Sequence, residues 1–365
     1  MNILFLNNHC YPPQMYGGIE ISTHELAILL SRNGVKTAVI AALNTKGKIY
    51  YQNRIISKLK REPFPADTCN GYPVFRGWIS PVDVNEKVEL VITKFRPTAI
   101  IVQATDAQLI ATKLLERLIP IFVYIRDVEF DDSFGAFANS KPLAALPIRY
   151  IANSKYTASR FESRFGIQPT VLNPVVLPER YQTKISKEAI LFINPTKVKG
   201  LGIALALAKL RPDIKFIFQE SWPLGSTRQA LLDAIKDLAN VELCAPRSDM
   251  RTVYRRAKIL LVPSQWDEAW GRVVTEAQIN GIPVIASQKG GLPESVGAGG
   301  ITLPPNADIK IWFEAVSLLW DDPVTWKEYS ERALTNSKRQ LATIDRLVDL
   351  TSKPSSSHFL LQRFQ

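Results

Sequence analysis

Ile3-Leu4-Phe5-Leu6, a Pro/Gly-rich connection from Cys10 to Gly18, the spaced Leu26, Leu29 and Leu30, the stop Asn33-Gly34 and the apolar run Thr37 to Leu43 read as strand, loop, helix and strand. Both strand runs are apolar without alternation, as expected for strands covered on both faces of a parallel sheet. Ser22-Thr23-His24-Glu25 has the form of a capping box and is expected to open the helix. Val74-Phe75-Arg76, Ala99 to Val102 and Ile121 to Ile125 continue as strands, with helices expected over Val84 to Phe95 and Leu109 to Leu118. From Ala189 the rhythm restarts. Ile190 to Ile193 is followed by the Ala/Leu-rich Gly200 to Leu210, then by the apolar runs Ile214 to Phe218, Val241 to Cys244, Ile259 to Val262 and Val284 to Ala286. Two successive α/β units predict two doubly wound, Rossmann-like domains. The expected division is residues 1–172 and 173–334, with Val171 to Pro178 as the hinge because two prolines interrupt the periodicity. Thr325 to Leu350 is expected to be helical, its part over 335–350 packing back on the first domain, and 351–365 to be a loose tail.

The chain has 365 residues, a net charge of +11 and 46% hydrophobic residues, the profile of a protein with packed cores. No apolar stretch is long enough to cross a membrane as a helix, and the N-terminus lacks the basic start of a secretory signal. Cys10, Cys69 and Cys244 form no framework, which suits a reducing cytoplasm, and three histidines offer no metal-ligand spacing. Six of the eleven excess positive charges lie in residues 1–61, chiefly Lys46, Lys48, Arg54, Lys58, Lys60 and Arg61. Tyr51, Ile55 and Leu59 recur every four residues among them, so segment 46–61 reads as a basic amphipathic helix. It is either a solvated face or a contact with an anionic membrane or acceptor. No nucleic-acid motif accompanies the charge, and nucleic acid is not an expected partner.

Three features bear on chemistry. Gly17-Gly18 follows the first strand and would let backbone amides approach a phosphate, although a plain turn has the same composition. Neither a GxGxxG fingerprint nor a Walker A loop is present, which argues against a nicotinamide dehydrogenase. Asn194-Pro195-Thr196-Lys197-Val198-Lys199-Gly200 places two cationic heads where a strand ends and a helix opens. In Glu268-Ala269-Trp270-Gly271-Arg272-Val273-Val274-Thr275-Glu276 two carboxylates lie eight positions apart, about 12 Å along a helix if the stretch were fully helical. At that distance they cannot share a proton, but they could hold hydroxyls at two ends of an extended ligand. Asp131-Asp132 is a bare acidic pair, not a DxD metal motif.

Pro263 to Ala277, running on through Gly281-Ile282-Pro283-Val284-Ile285-Ala286-Ser287 to Gly290-Gly291-Leu292-Pro293-Glu294, resembles the C-terminal signature of the family 4 glycosyltransferases, glycosyltransferase group 1. Gly17-Gly18-Ile19-Glu20 resembles the family's glycine loop. Asn153-Ser154 through Phe161, Phe165-Gly166 and Asn173-Pro174 resemble its interdomain region, and Lys199-Gly200 its phosphate motif. The resemblance implies a GT-B fold, two domains facing across a cleft. It implies a retaining transfer of a sugar from a nucleotide-diphosphate sugar to a glycan, lipid-linked or small-molecule acceptor. No cofactor and no metal is implied. The expected setting is the cytoplasm, with segment 46–61 offering a peripheral contact on the inner membrane face as the alternative to a solvated surface.

By position, the resemblance assigns Glu268 to the donor sugar, Glu276 to the ribose, and Lys199 with Gly17 and Gly18 to the diphosphate. Backbone amides around Gly271, Arg272, Val273 and Val274 would cap a phosphate, and the base would lie near Ala245-Pro246-Arg247. Asn194 stands where the family usually has arginine, with Thr196 and Lys197 beside it, and Lys197 is the candidate replacement for that charge. Arg126 stands where the family often has histidine. It is expected with Asp127 on the acceptor side, where the loops Ala104-Thr105-Asp106 and Asp127 to Phe137 would shape the pocket. A non-catalytic nucleotide-sugar-binding protein and a nucleotide-sugar epimerase remain alternatives.

Overall fold

The computed structural model describes residues 1–60, 64–77, 83–103, 106–128, 143–221, 224–338 and 343–352. Arg61, Ala104-Thr105, Asp131-Asp132, most of the Asp127 to Phe137 loop and the tail from 353 lie outside the described residues. The chain forms two compact units, Met1–Val175 with Ala342–Gln365, and Val176–Leu341.

The first unit is built on eight strands: β1 Asn2–Cys10, β2 Lys36–Ala42, β3 Ala66–Asp67, β4 Val74–Arg76, β5 Ala99–Val102, β6 Ile121–Ile125, β7 Ile148–Ala152 and β8 Thr170–Val171. Their order is β3-β4-β2-β1-β5-β6-β7-β8, and every pairing but that of β3 with β4 is parallel. All five residues of β6 are buried, the consequence of helices on both faces of a parallel sheet. The first helix starts at Gly18, capped by Gly17, a turn earlier than the capping-box reading of Ser22 to Glu25 places it. Ser22 and Thr23 are therefore interior. Their hydroxyls donate to the carbonyls of Gly18 at 2.7 Å and Ile19 at 2.8 Å, the back-bonding that such residues adopt inside a helix.

The second unit has six parallel strands: β9 Ala189–Ile193, β10 Lys215–Gln219, β11 Val241–Cys244, β12 Ala257–Val262, β13 Val284–Ser287 and β14 Gly300–Leu303, in the order β11-β10-β9-β12-β13-β14. The strand period of two sends Ile190 and Phe192 to one face with Phe216, Phe218, Ile259, Leu261 and Trp312. It sends Leu191 and Ile193 to the other face with Leu260, Val262, Val284 and Val274.

The expected single helix over Thr325 to Leu350 is two helices, Pro323–Ser337 and Thr343–Ser352. The first begins where Asp322 accepts from the Val324 amide at 2.9 Å, with Pro323 at the first helical position. The second belongs to the first unit: Leu347 is fully buried, and the Arg149 guanidinium donates to the Leu350 carbonyl at 2.8 Å.

Candidate functional site

In the second unit β9 lies between β10 and β12. The chain crosses from β9 to β10 on one side and enters β12 on the other, so the loops after β9 and β12 lie side by side at the carboxyl edge of the sheet. This is the switch point where ligands of doubly wound sheets bind. The first loop, Asn194 to Gly200, is a tight turn ending in the 3-10 turn Lys197–Lys199. Asn194 sits at φ +59° and its side-chain oxygen accepts from the Ser221 amide at 3.2 Å, so it shapes the turn. The Thr196 carbonyl accepts from the Lys199 amide at 3.1 Å, and Lys197 is exposed.

The second loop, Pro263 to Gly271, is sewn to the first. The amides of Gln265 and Trp266 both donate to the Val198 carbonyl, at 2.8 and 3.2 Å. Gly200 makes this approach possible: at φ +88°, a Cβ there would stand 2.0 Å from the Pro263 carbonyl oxygen. The result is an ion pair between Lys199 Nζ and Glu268 Oε1 at 2.5 Å, half-sheltered, with the buried Ser264 hydroxyl donating to the same oxygen at 3.1 Å. The Gly291 amide donates to the Glu268 carbonyl at 2.6 Å. A cation and a hydroxyl-binding carboxylate thus share one spot.

Only Arg272–Gln278 is helical, so Glu268 lies in the loop before the helix and its separation from Glu276 is not set by helical rise. Gly271 caps this helix at φ +84°. Its carbonyl accepts from the Val274 amide at 2.9 Å, so of the amides expected to cap a phosphate that one is engaged. Glu276 is buried. Its Oε1 lies 2.7 Å from Arg272 Nε, and its Oε2 accepts from the Tyr254 hydroxyl at 2.8 Å. Arg272 in turn donates to the Tyr181 hydroxyl at 2.8 Å. Burial, and next the Glu276 charge, push the Tyr254 phenol well above its ordinary range, so it remains a donor. Arg247 is exposed after β11, two strands from β9.

In the first unit the switch point falls between β1 and β5. Gly17 and Gly18 follow β1, and the buried Glu20 carboxylate folds back so far that a Cβ on Gly17 would be 2.2 Å from Oε2. Gln103, next after β5, donates to Thr23 Oγ1 at 2.6 Å and accepts from Arg126 Nε at 3.0 Å. Arg126 is buried after β6 with its guanidinium 3.9 Å from the Tyr124 ring centroid, and Asp127 is exposed.

Residues 184–340 match the family model of glycosyl transferases group 1. Over those residues the chain is similar to that family. The chain is 35% identical over 217 residues to a D-inositol 3-phosphate glycosyltransferase of Mycobacterium sp. strain KMS, covering 52% of this chain and 49% of that one. It is 29% identical over 186 residues to an exopolysaccharide phosphotransferase of Streptomyces coelicolor, covering 47% of this chain and 19% of that one. It thus spans half or less of the length of these curated relatives. In architecture it is similar to Anabaena Alr3699/HepE, solved with UDP and glucose, with a TM-score of 0.72 at 17% identity over 96% of this chain and 99% of that one. The fold is GT-B, two Rossmann-like domains with parallel sheets.

Within residues 184–340 the structure gathers Lys199 with Glu268, and Arg272 with Glu276. Sequence reading missed Ser264, Tyr254 and Tyr181. Ser264 is four positions from Glu268 but in a loop, where that spacing defines no common face, and Tyr254 is 22 positions from Glu276. The Arg272–Glu276 pair was available, since residues four apart share a helix face.

Proposed function

We propose that the protein is a retaining, family 4 glycosyltransferase that moves a sugar from a nucleoside-diphosphate sugar to a glycan, lipid-linked or small-molecule acceptor. The observation that carries this is the Lys199–Glu268 pair at the β9/β12 switch point, within the residues similar to the group 1 family. In the reaction the bond between the anomeric carbon and the phosphate oxygen breaks, and its electron pair stays on the diphosphate. Lys199 leaves Glu268 to meet that charge, and the freed carboxylate accepts from sugar hydroxyls; one preorganised donor of this kind is worth about 3 kcal/mol in the barrier. The acceptor oxygen bonds to the same face of the carbon, and its proton passes to the departing phosphate oxygen. No metal is required for this charge balance. Arg126, held by Gln103, and Asp127 are assigned to the acceptor side. The HepE complex with UDP and glucose supports the donor class, and the inositol-phosphate glycosyltransferases support a polyol among the acceptors.

The test is a thermal-shift panel of UDP-, GDP- and ADP-sugars, followed by assay of free nucleotide in EDTA with and without acceptors. A stabilising donor, nucleotide release that rises with acceptor, and a product keeping the donor's anomeric configuration are expected. Binding with no turnover would favour the non-catalytic reading. Isomerised donor without nucleotide release would favour the epimerase.

The helix Lys48–Lys60 supports a peripheral membrane contact as part of this reading. Tyr51, Ile55 and Leu59 are 64%, 57% and 80% exposed on one stripe, with Lys48, Arg54 and Lys58 flanking it and no acidic residue in the helix. Asn53 is buried on the opposite side, its amide reaching the Pro65 carbonyl. An apolar stripe edged by cations matches an anionic bilayer, each basic residue contributing about 1 kcal/mol near such a surface. Among the described residues no helix is long and apolar enough to cross a membrane. The three free cysteines fit the reducing, cytoplasmic side. The protein should co-sediment with phosphatidylglycerol vesicles and not with phosphatidylcholine vesicles, and Ile55→Glu/Leu59→Glu should abolish this. Equal sedimentation of that variant would remove the helix from the contact.

A further inference from the structure

Glu276 is a buried acid held at both oxygens. Its carboxylate is clamped from two directions by residues of separate segments: Arg272 on its own helix and Tyr254 at the end of the helix Met250–Tyr254. Tyr254 is fully buried, edge-on to Tyr181 with ring centroids 6.5 Å apart, and Tyr181 in turn accepts from Arg272. The four side chains close a circuit, Tyr254 to Glu276 to Arg272 to Tyr181, and back through ring packing. A phenol that must donate has one acceptor in this circuit, Glu276 Oε2.

The chemistry of a clamped carboxylate is selective. A glutamate side chain has three rotatable bonds, and a free one must lose that freedom each time it engages a ligand. Here one oxygen faces the guanidinium and the other the phenol, which fixes the plane of the group in advance. Each oxygen still has lone-pair capacity beyond one contact, since an ionised carboxylate offers about four acceptor sites. Two coplanar acceptors held in this way suit a vicinal diol better than a single hydroxyl. A site built to accept from a hydroxyl rejects an analogue lacking it, because the buried acceptor is then left unpaired.

We propose that Tyr254 is a positioning residue that locks the Glu276 carboxylate, so that the site selects the ribose diol over a deoxyribose. This rests on the assignment of Glu276 to the ribose in the function proposed above. Tyr254 does not touch the ligand; it acts through Glu276. Its hydroxyl therefore governs affinity and sugar selection of the nucleotide, and leaves the chemical step at the anomeric carbon to Lys199 and Glu268.

The experiment measures binding of UDP, GDP and ADP, each beside its 2′-deoxy counterpart, by calorimetry on the full chain. Wild type should bind the preferred ribonucleotide at least about tenfold more tightly than the deoxy form, the size of one lost hydrogen bond to a charged group. Tyr254→Phe, which removes one oxygen, should cut that ratio to within about threefold of unity. In turnover its donor KM should rise about tenfold, with kcat changed less than about threefold. In a Glu276→Gln background, Tyr254→Phe should alter the ratio no further. A Tyr254→Phe protein that discriminates as well as wild type overturns the proposal while leaving Glu276 on the ribose. Wild type that binds both sugars equally overturns the ribose assignment itself. Glu276→Gln keeps an oxygen for the Tyr254 hydroxyl and is the companion variant. It too should discriminate less, and unchanged discrimination would overturn the proposal even if Tyr254→Phe cannot be purified.

Discussion

Lys199→Ala should lower kcat/KM for sugar transfer by about two orders of magnitude, the rate equivalent of about 3 kcal/mol of lost transition-state stabilisation. The lysine is held in advance: its turn is tied through Val198 to the loop of Glu268, and its ammonium rests 2.5 Å from Glu268 Oε1. A charge carried on a turn that the protein fixes has only to swing from Glu268 to the diphosphate, and that is why its removal weighs on the barrier. The same substitution should barely alter folding stability, because the pair is partly exposed and such pairs contribute about 0–1 kcal/mol. Ser264 also stays behind to serve the orphaned carboxylate. Lys199→Arg should not restore the rate, since a planar guanidinium cannot replace a compact ammonium in this turn. Steady-state kinetics beside a urea titration check both halves, and a folded Lys199→Ala protein of normal activity would refute the site.

Gly200→Ala should be strongly damaging to the second unit. A side chain at φ +88° costs about 1–2 kcal/mol by itself. The added carbon would also stand 2.0 Å from the Pro263 oxygen and 2.7 Å from its carbon, both backbone atoms that cannot swing aside. The two loops must part, and with them the Val198 hydrogen bonds and the Lys199–Glu268 pair. A total loss of about 3 kcal/mol of stability and at least about tenfold in activity is expected. Gly202→Ala is the internal control. It lies two residues on, within the helix Leu201–Leu210, at ordinary φ with nothing within 4 Å of the new carbon, so it should be neutral or stabilise by up to about 1 kcal/mol. If both alanines behave alike in chemical denaturation, close approach at Gly200 is not what places the lysine.

Part of the site was legible because it is written in contiguous residues. The Gly200 turn and the Glu268-to-Glu276 block each follow a strand whose apolar run is plain in sequence, and each ends in a signal for a helix start. The capping-box reading at Ser22 failed for a reason of the same local kind. Two glycines allowed the helix to begin earlier, and a serine inside a helix hydrogen-bonds as readily as one at its end. The helix over Thr325 to Leu350 was read as one, although its end was expected on the first domain, because no proline or glycine marks the break between Ser337 and Thr343. The ring of Tyr254, Tyr181, Arg272 and Glu276 was invisible beyond its helical pair, since its members come from segments joined only by folding.

The order of apolar runs by itself determined that the chain builds parallel sheets twice, because a strand buried on both faces must be apolar throughout and helices must return it to the same direction. It also determined which loops could carry charge. Only the tertiary structure decided that the loops after β9 and β12 are neighbours, since strand order is set by crossover connections and not by succession in the chain. From that adjacency follows the partner of each charged group: Lys199 and Glu268 are 69 positions apart in sequence and 2.5 Å apart in space.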